Sequence, residues 1–115
     1  MPSSKNLEQS RYILLYYHLG HVLPEKEIKW HITSTISRIY GLHGNVVMGI
    51  YFSLIHPNQN LVLIRIANKY VYEFYTCLLF LREISFIPIK TFGSIDKAKK
   101  YIDSVNWIEF KENFN

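Results

Sequence analysis

NVVMGIYFSLI-HPNQN-LVLIRIA, Asn45 to Ala67, is the stretch on which the fold turns. His56-Pro57-Asn58-Gln59-Asn60 is a cluster of turn formers set between two apolar runs. In the first run Val46, Met48, Ile50, Phe52 and Leu54 alternate onto one face, which predicts a strand over 45–55. LVLIRIA predicts a second strand over 61–67, so the pair reads as an antiparallel hairpin.

Working outward, the same pattern appears on either side of that hairpin. Upstream, RYILLYY (Arg11 to Tyr17) is a short strand whose two alternating sets, Tyr12/Leu14/Tyr16 and Ile13/Leu15/Tyr17, are both apolar. A strand of that kind needs cover on both faces. Pro24 with Glu25 and Glu27 suits the first turn of a helix. Ile28, His31, Ile32, Thr35, Ile36 and Ile39 then recur at helical spacing, and Gly41 and Gly44 are placed to close that helix. Downstream, a helix is predicted from about Asn68 to Ile84, apolar nearly all round between Phe74 and Leu81. FIPIKTF (Phe86 to Phe92) is a last strand, and Pro88, which has no N–H to donate, assigns it to a sheet edge. Ser94 caps a third helix with Ile95, Ala98, Ile102 and Val105 inward.

The order strand-helix-strand, strand-helix-strand, helix predicts an α+β, ferredoxin-like (RRM-like) βαββαβ antiparallel sheet of order 4-1-3-2 with a C-terminal helix. That order independently makes the Pro88 strand an edge. The first two helices take one face, and the third helix or a partner takes the other. The division is a polar arm over 1–9, one domain over 10–105, and a tail over 106–115 given no element.

At 115 residues the chain is long enough for one core without staples. Hydrophobic residues are 49% and charged residues 19%, which excludes a disordered class. A single cysteine, Cys77, excludes an intrachain disulfide. No run approaches the roughly 20 apolar residues of a membrane span; FYTCLLFL is bounded by Glu73 and Arg82. Met1-Pro2-Ser3-Ser4-Lys5 has no apolar segment behind it and predicts no secretory signal.

Catalytic signals are sparse. His18, His21, His31, His43 and His56 fit no zinc spacing and read as surface or packing residues. Cys77 lies mid-helix in an apolar run and reads as a small core residue. Gly41-Leu42-His43-Gly44 follows a helix, so it reads as a C-cap and turn rather than a phosphate loop. The cations carry more. The net charge is +4 and the pI near 9.2, a mild bias toward anions. Lys90, Lys97, Lys99 and Lys100 cluster around Ser94, at a helix start, against one Asp96. Lys5 and Arg11 bracket the entry to the first strand and extend this basic rim. Arg65, on the Leu61/Leu63 side of its strand, reads either as a phosphate contact or as a salt bridge to Glu73. Tyr51, Tyr72 and Phe80 are the candidates for a protein contact, since helix two and the second sheet face carry excess apolar surface. An RNA-recognition consensus is absent, so Tyr12, Tyr16, Tyr17, Tyr51 and Phe52 read as core or interface.

SRYILLYY (10–17), ITSTISRIYGLHGNVVMGIYF (32–52), LVLIRIANKYVYEFYTCLLFL (61–81) and FGSIDKAKKYI (92–102) stand in one order across the domain. In these pieces the chain resembles the Pop-five-type (Pop5/Rpp14) protein subunit of eukaryotic and archaeal ribonuclease P, shared in eukaryotes with ribonuclease MRP. It departs from the family at Asp96, where a basic residue is usual, with Lys97 next. The related small subunit of the same particle shares the fold. The resemblance implies a non-catalytic, RNA-binding subunit that supports a catalytic RNA in removing 5′ leaders from precursor tRNA. It implies ribonuclease P or MRP RNA and a barrel-like protein subunit as partners, with precursor tRNA met indirectly. No cofactor is expected on this chain; Mg2+ belongs with the RNA. The location implied is the nucleus, with the nucleolus, in a eukaryote, and the cytoplasm in an archaeon. The alternatives are a ferredoxin-like regulatory or dimerisation domain for small molecules, and an acylphosphatase-like enzyme. The latter would need a glycine-rich loop after the first strand, where His18-Leu19-Gly20-His21 offers one glycine.

Overall fold

The computed structural model describes residues 9–18, 23–56 and 59–114. The elements are β1 (Ser10–Tyr17), α1 (Glu25–Tyr40), α2 (Gly44–Met48), β2 (Tyr51–His56), β3 (Leu61–Ala67), a 3-10 turn (Asn68–Tyr70), α3 (Val71–Leu79), β4 (Phe86–Phe92), α4 (Ile95–Ser104) and α5 (Trp107–Phe114). The strands form one antiparallel sheet in the order β2-β3-β1-β4, which is the predicted 4-1-3-2 read from the other edge. β4 lies at an edge, beside an irregularity in its pairing with β1, the kind of position where a strand tolerates a proline without an N–H.

Every residue of β1 from Ile13 to Tyr17 is buried. Ile13, Leu15 and Tyr17 join Val62, Ile64 and Ile66 of β3 under α1, α2 and α3. Leu14 and Tyr16 join Leu61 and Leu63 under α4 and α5. Each such side chain contributes about 1.5–3 kcal/mol when fully withdrawn from water, so both faces need a lid. The second lid is intramolecular. Ser94 Oγ accepts from the Lys97 N–H at 3.3 Å and starts α4, which buries Ala98 and Ile102. Residues 106–115, assigned no element from the sequence, contain α5. Its Trp107 is buried, donates Nε1–H to the Ile102 carbonyl at 2.9 Å, and packs edge-on to Phe110, which in turn meets Tyr16.

Two predicted boundaries shift and one predicted alternation breaks. The strand expected over 45–55 begins only at Tyr51; Gly44–Met48 is a short helix. Gly44 packs so closely on α1 that a Cβ there would stand 3.0 Å from Tyr40 Cβ and 3.2 Å from Ile36 Cγ2. Asn45 Nδ2 then donates to the Thr33 carbonyl and to Ser37 Oγ. Gly49, at φ +68°, ends the short helix. The Gly41–Gly44 loop therefore joins two helices, and α2 is a single short turn packed on α1. Within β2 the register shifts between Phe52 and Leu54, so these two face opposite layers instead of sharing one. Helix α3 stops at Leu79 rather than Ile84: Arg38 Nη2 donates to the Phe80 carbonyl at 3.2 Å, while Ile84 and Phe86 enter the core from a non-helical return.

Replacing Trp107 by Ala should lower stability by about 3–5 kcal/mol, the usual cost of emptying a large aromatic site. Ile108→Ala, at a position 75% exposed, should stay within about 0.5 kcal/mol. Urea denaturation followed by circular dichroism separates the two. Equal midpoints would mean that α5 contributes nothing to the fold.

Candidate nucleic-acid interface

The cations named from the sequence sort by the pleat and by helix geometry. Lys5 lies outside the described residues. Arg11 is on the α1/α3 side of β1, opposite Ile66, and its Nη1 donates to the Ser10 carbonyl at 3.0 Å. Arg65 is on the other face, as the Leu61/Leu63 alternation predicts, and is exposed. Its salt bridge to Glu73 does not form, because Glu73 sits on α3 across the sheet. Among the described residues the guanidinium instead lies over the Tyr51 ring, 5.1 Å from its centroid.

Lys90 shares this face, opposite Leu14, with Nζ 5.0 Å from the Tyr101 ring and 5.7 Å from that of Phe92. On α4, Lys97, Lys99 and Lys100 are all exposed, but at about 100° per residue they do not form one stripe. Lys97 and Lys100 stand three apart on one strip, with Lys97 a turn before Tyr101. Lys99 is on the opposite flank, lining a shallow cleft with Leu54, His56, Ile102 and Asp103. The structure thus brings Lys90, Lys97 and Lys100 toward one side of α4, with Ser94 as the cap at its start. Lys99 is set apart, and Arg65 stands at the open end of the sheet.

The three candidates for protein contact are exposed but not contiguous. Tyr72 and Phe80 belong to the α3 layer. Tyr72 lines a groove of about 480 Å3 with Thr76, Leu79, Leu81, Ser85 and Pro88, between α3 and the β4 edge. Tyr75, also in this groove, joins its hydroxyl to Thr91 Oγ1 at 2.8 Å. Tyr51 is on the opposite sheet face, beside Arg65. A second small cleft, about 220 Å3, is lined by Tyr40, His43, Val47, Met48, Tyr70 and Glu73, and was not legible because its walls come from three separate segments.

Among the described residues no three His, Cys, Asp or Glu side chains group as a metal site, and no helix is long and apolar enough to cross a membrane. His31 is largely buried, and its Nδ1 lies 3.7 Å from a carboxylate oxygen of the exposed Glu83, too far for a hydrogen bond. Cys77 is buried at 2% exposure, and burial pushes its thiol up to about 11.

The family model of the Rpp14/Pop5 family matches residues 11–103, spanning β1 through most of α4. The chain belongs to the Rpp14/Pop5 family. This is a family of subunits of ribonuclease P and ribonuclease MRP ribonucleoproteins. Among solved structures, a chain of the yeast ribonuclease MRP cryo-EM structure is similar in fold, with a TM-score of 0.61 at 15% identity. The match covers 92% of this chain and 93% of that one. No curated protein sequence matches. For a member of this family the match ends one helix short: α5, which closes the second face, follows the matched segment.

A buried thiol held protonated should be inert in the native chain. At pH 8 iodoacetamide should label Cys77 far more slowly in the folded protein than in urea. The folded value of about 11 is above the ordinary value near 9. This contribution to stability is therefore complete below pH 9 and is lost as the pH rises through about 11. Fast, stoichiometric labelling of the native chain would show that the α3 core opens freely.

Proposed function

We propose that the chain is a non-catalytic, RNA-binding protein subunit of ribonuclease P, ribonuclease MRP or both, and that it supports the catalytic RNA during 5′ leader removal from precursor tRNA. The observation that carries this reading is family membership over residues 11–103. The placement of the cations supports it: Lys90, Lys97 and Lys100 stand exposed beside a capped helix start, where phosphates can be held without reading sequence. In this reading the RNA supplies the chemistry together with its Mg2+, and the chain holds RNA structure in place. The groove beside Tyr72, with Phe80 on the same layer, receives a protein subunit of the particle, for which a barrel-like fold is our candidate. In a eukaryote the particle, and the chain with it, works in the nucleus.

A tagged chain drawn from its native cell should bring down a ribonuclease P or MRP RNA together with other protein subunits. The purified chain alone should leave precursor tRNA intact. Recovery without RNA, or cleavage by RNA-free protein, would overturn the reading.

The rim makes a finer claim. Each lost phosphate contact should lower the salt slope of binding by about 0.7–0.9, so Lys97→Ala with Lys100→Ala should flatten it by roughly 1.4–1.8. Lys99→Ala, on the other flank, should change it little. Alanine preserves α4, which circular dichroism can verify. An unchanged slope in the folded double variant would make this rim a solvated surface only.

A further inference from the structure

On the sheet face covered by α4 and α5, three rows of side chains cross the strands. The first is His56-Leu61-Tyr16 and the second Leu54-Leu63-Leu14; the helices cover both. The third is Tyr51-Arg65-Tyr12-Phe92, from edge to edge. Only its Phe92 end is buried, whereas Tyr12 is half-buried, Arg65 is exposed and Tyr51 is 57% exposed. The lid therefore stops one row short and leaves an aromatic-cation-aromatic strip at the end of the sheet.

We propose that this strip is a binding site for unpaired RNA nucleotides, with bases stacking on Tyr51 and Tyr12 and the backbone held by Arg65 and Lys90. The inference rests on the RNA-binding reading above and names the part of the RNA that this face takes. Three observations carry it. First, the Arg65 guanidinium has no carboxylate partner among the described residues and sits 5.1 Å from the Tyr51 ring, an arrangement that favours both a stacked base and a phosphate. Second, Lys90 is on the same face, two strands away and one row in, about 12 Å from Arg65 along the backbone grid. Third, the open part of the row, from Tyr51 on β2 to Tyr12 on β1, spans two strand gaps or about 10 Å, room for the two bases placed on its two rings. Paired RNA hides its base faces and offers nothing to such a strip, so the specificity is for single strands.

The test uses the full chain and fluorescent ten-nucleotide oligouridine and oligoadenosine, with an RNA duplex of equal length as competitor. Tyr51→Ala should weaken single-strand binding about ten-fold while leaving the salt slope unchanged, and Tyr51→Phe should restore it, because the ring is what stacks. Arg65→Ala should weaken binding and lower the slope by about 0.7. Circular dichroism checks that the sheet survives in each variant. Equal binding by wild type and Tyr51→Ala would overturn the proposal, as would duplex competing as well as single strand. So would a Tyr51→Ala defect confined to capture of a protein subunit, which would make the strip a protein contact. If the native-cell pull-down recovers the particle RNA in those cases, the subunit reading stands and only this site falls. If wild type binds neither oligonucleotide nor particle RNA, both fall.

Discussion

The central strand cannot tolerate water on either side, and the rest of the molecule is arranged to satisfy it. Ile13, Leu15 and Tyr17 face one layer and Leu14 and Tyr16 the other, all of them fully or almost fully buried. A sheet built around such a strand is stable only as the middle of three layers. Asn60 ties the hairpin to this strand's end. In a left-handed conformation at φ +58°, it donates Nδ2–H to the Tyr17 carbonyl at 2.9 Å and accepts the Tyr17 N–H on its own carbonyl. Asparagine enters that conformation more readily than most residues.

How the second layer is built sets what is left for function. Two short helices close it, α4 through Ala98 and Ile102 and α5 through Trp107, and together they reach across two of the three rows on that face. The remaining row carries Arg65, where a core-facing position would demand an apolar residue. A cation in an otherwise apolar strand is costly to bury without a partner. Here the row is open, and the charge remains solvated over an aromatic ring. The fold thus tolerates Arg65 because the lid ends before it.

The opposite layer has a different excess. α3 and its end present Tyr72, Leu79 and Phe80 outward, with Leu79 84% exposed, and the groove beside them runs along β4, the edge strand that carries Pro88. Pro88 discourages another strand from pairing there, so side-chain packing rather than sheet extension is the means by which that groove engages anything. The α3 layer and the strip at Arg65 are on opposite faces of the sheet, so one ligand need not exclude another.

The order of the four strands and of helices α1, α3 and α4, the central strand with two apolar faces, the edge position of Pro88, the Ser94 cap and the face of Arg65 were all legible in the sequence. Each depends on local periodicity or on one residue's backbone chemistry. So was the family resemblance, whose quoted pieces fall within the matched span apart from Ser10. Other features were settled only by contacts between residues far apart in the chain. Alternation from Val46 to Leu54 looked like one strand, but Gly44 against α1 and Asn45 bonded to Thr33 make its first part helical. Helix α3 closes in a tight turn, with the Phe80 N–H donating to the Cys77 carbonyl and the Leu81 N–H to that of Leu78, and the guanidinium on the Phe80 carbonyl comes from Arg38, far away in the chain. Tyr51, Tyr72 and Phe80 were grouped from the sequence only as candidates for a protein contact, and the sheet places Tyr51 on the face opposite the other two, because the strand pleat and register decide facing, not composition. Sequence by itself determined that four strands and the helices α1, α3 and α4 had to form, and that both sides of β1 needed cover. Tertiary structure decided how far that cover extends, because the reach of α4 and α5 depends on where Trp107 seats against the sheet, a contact that no local pattern encodes.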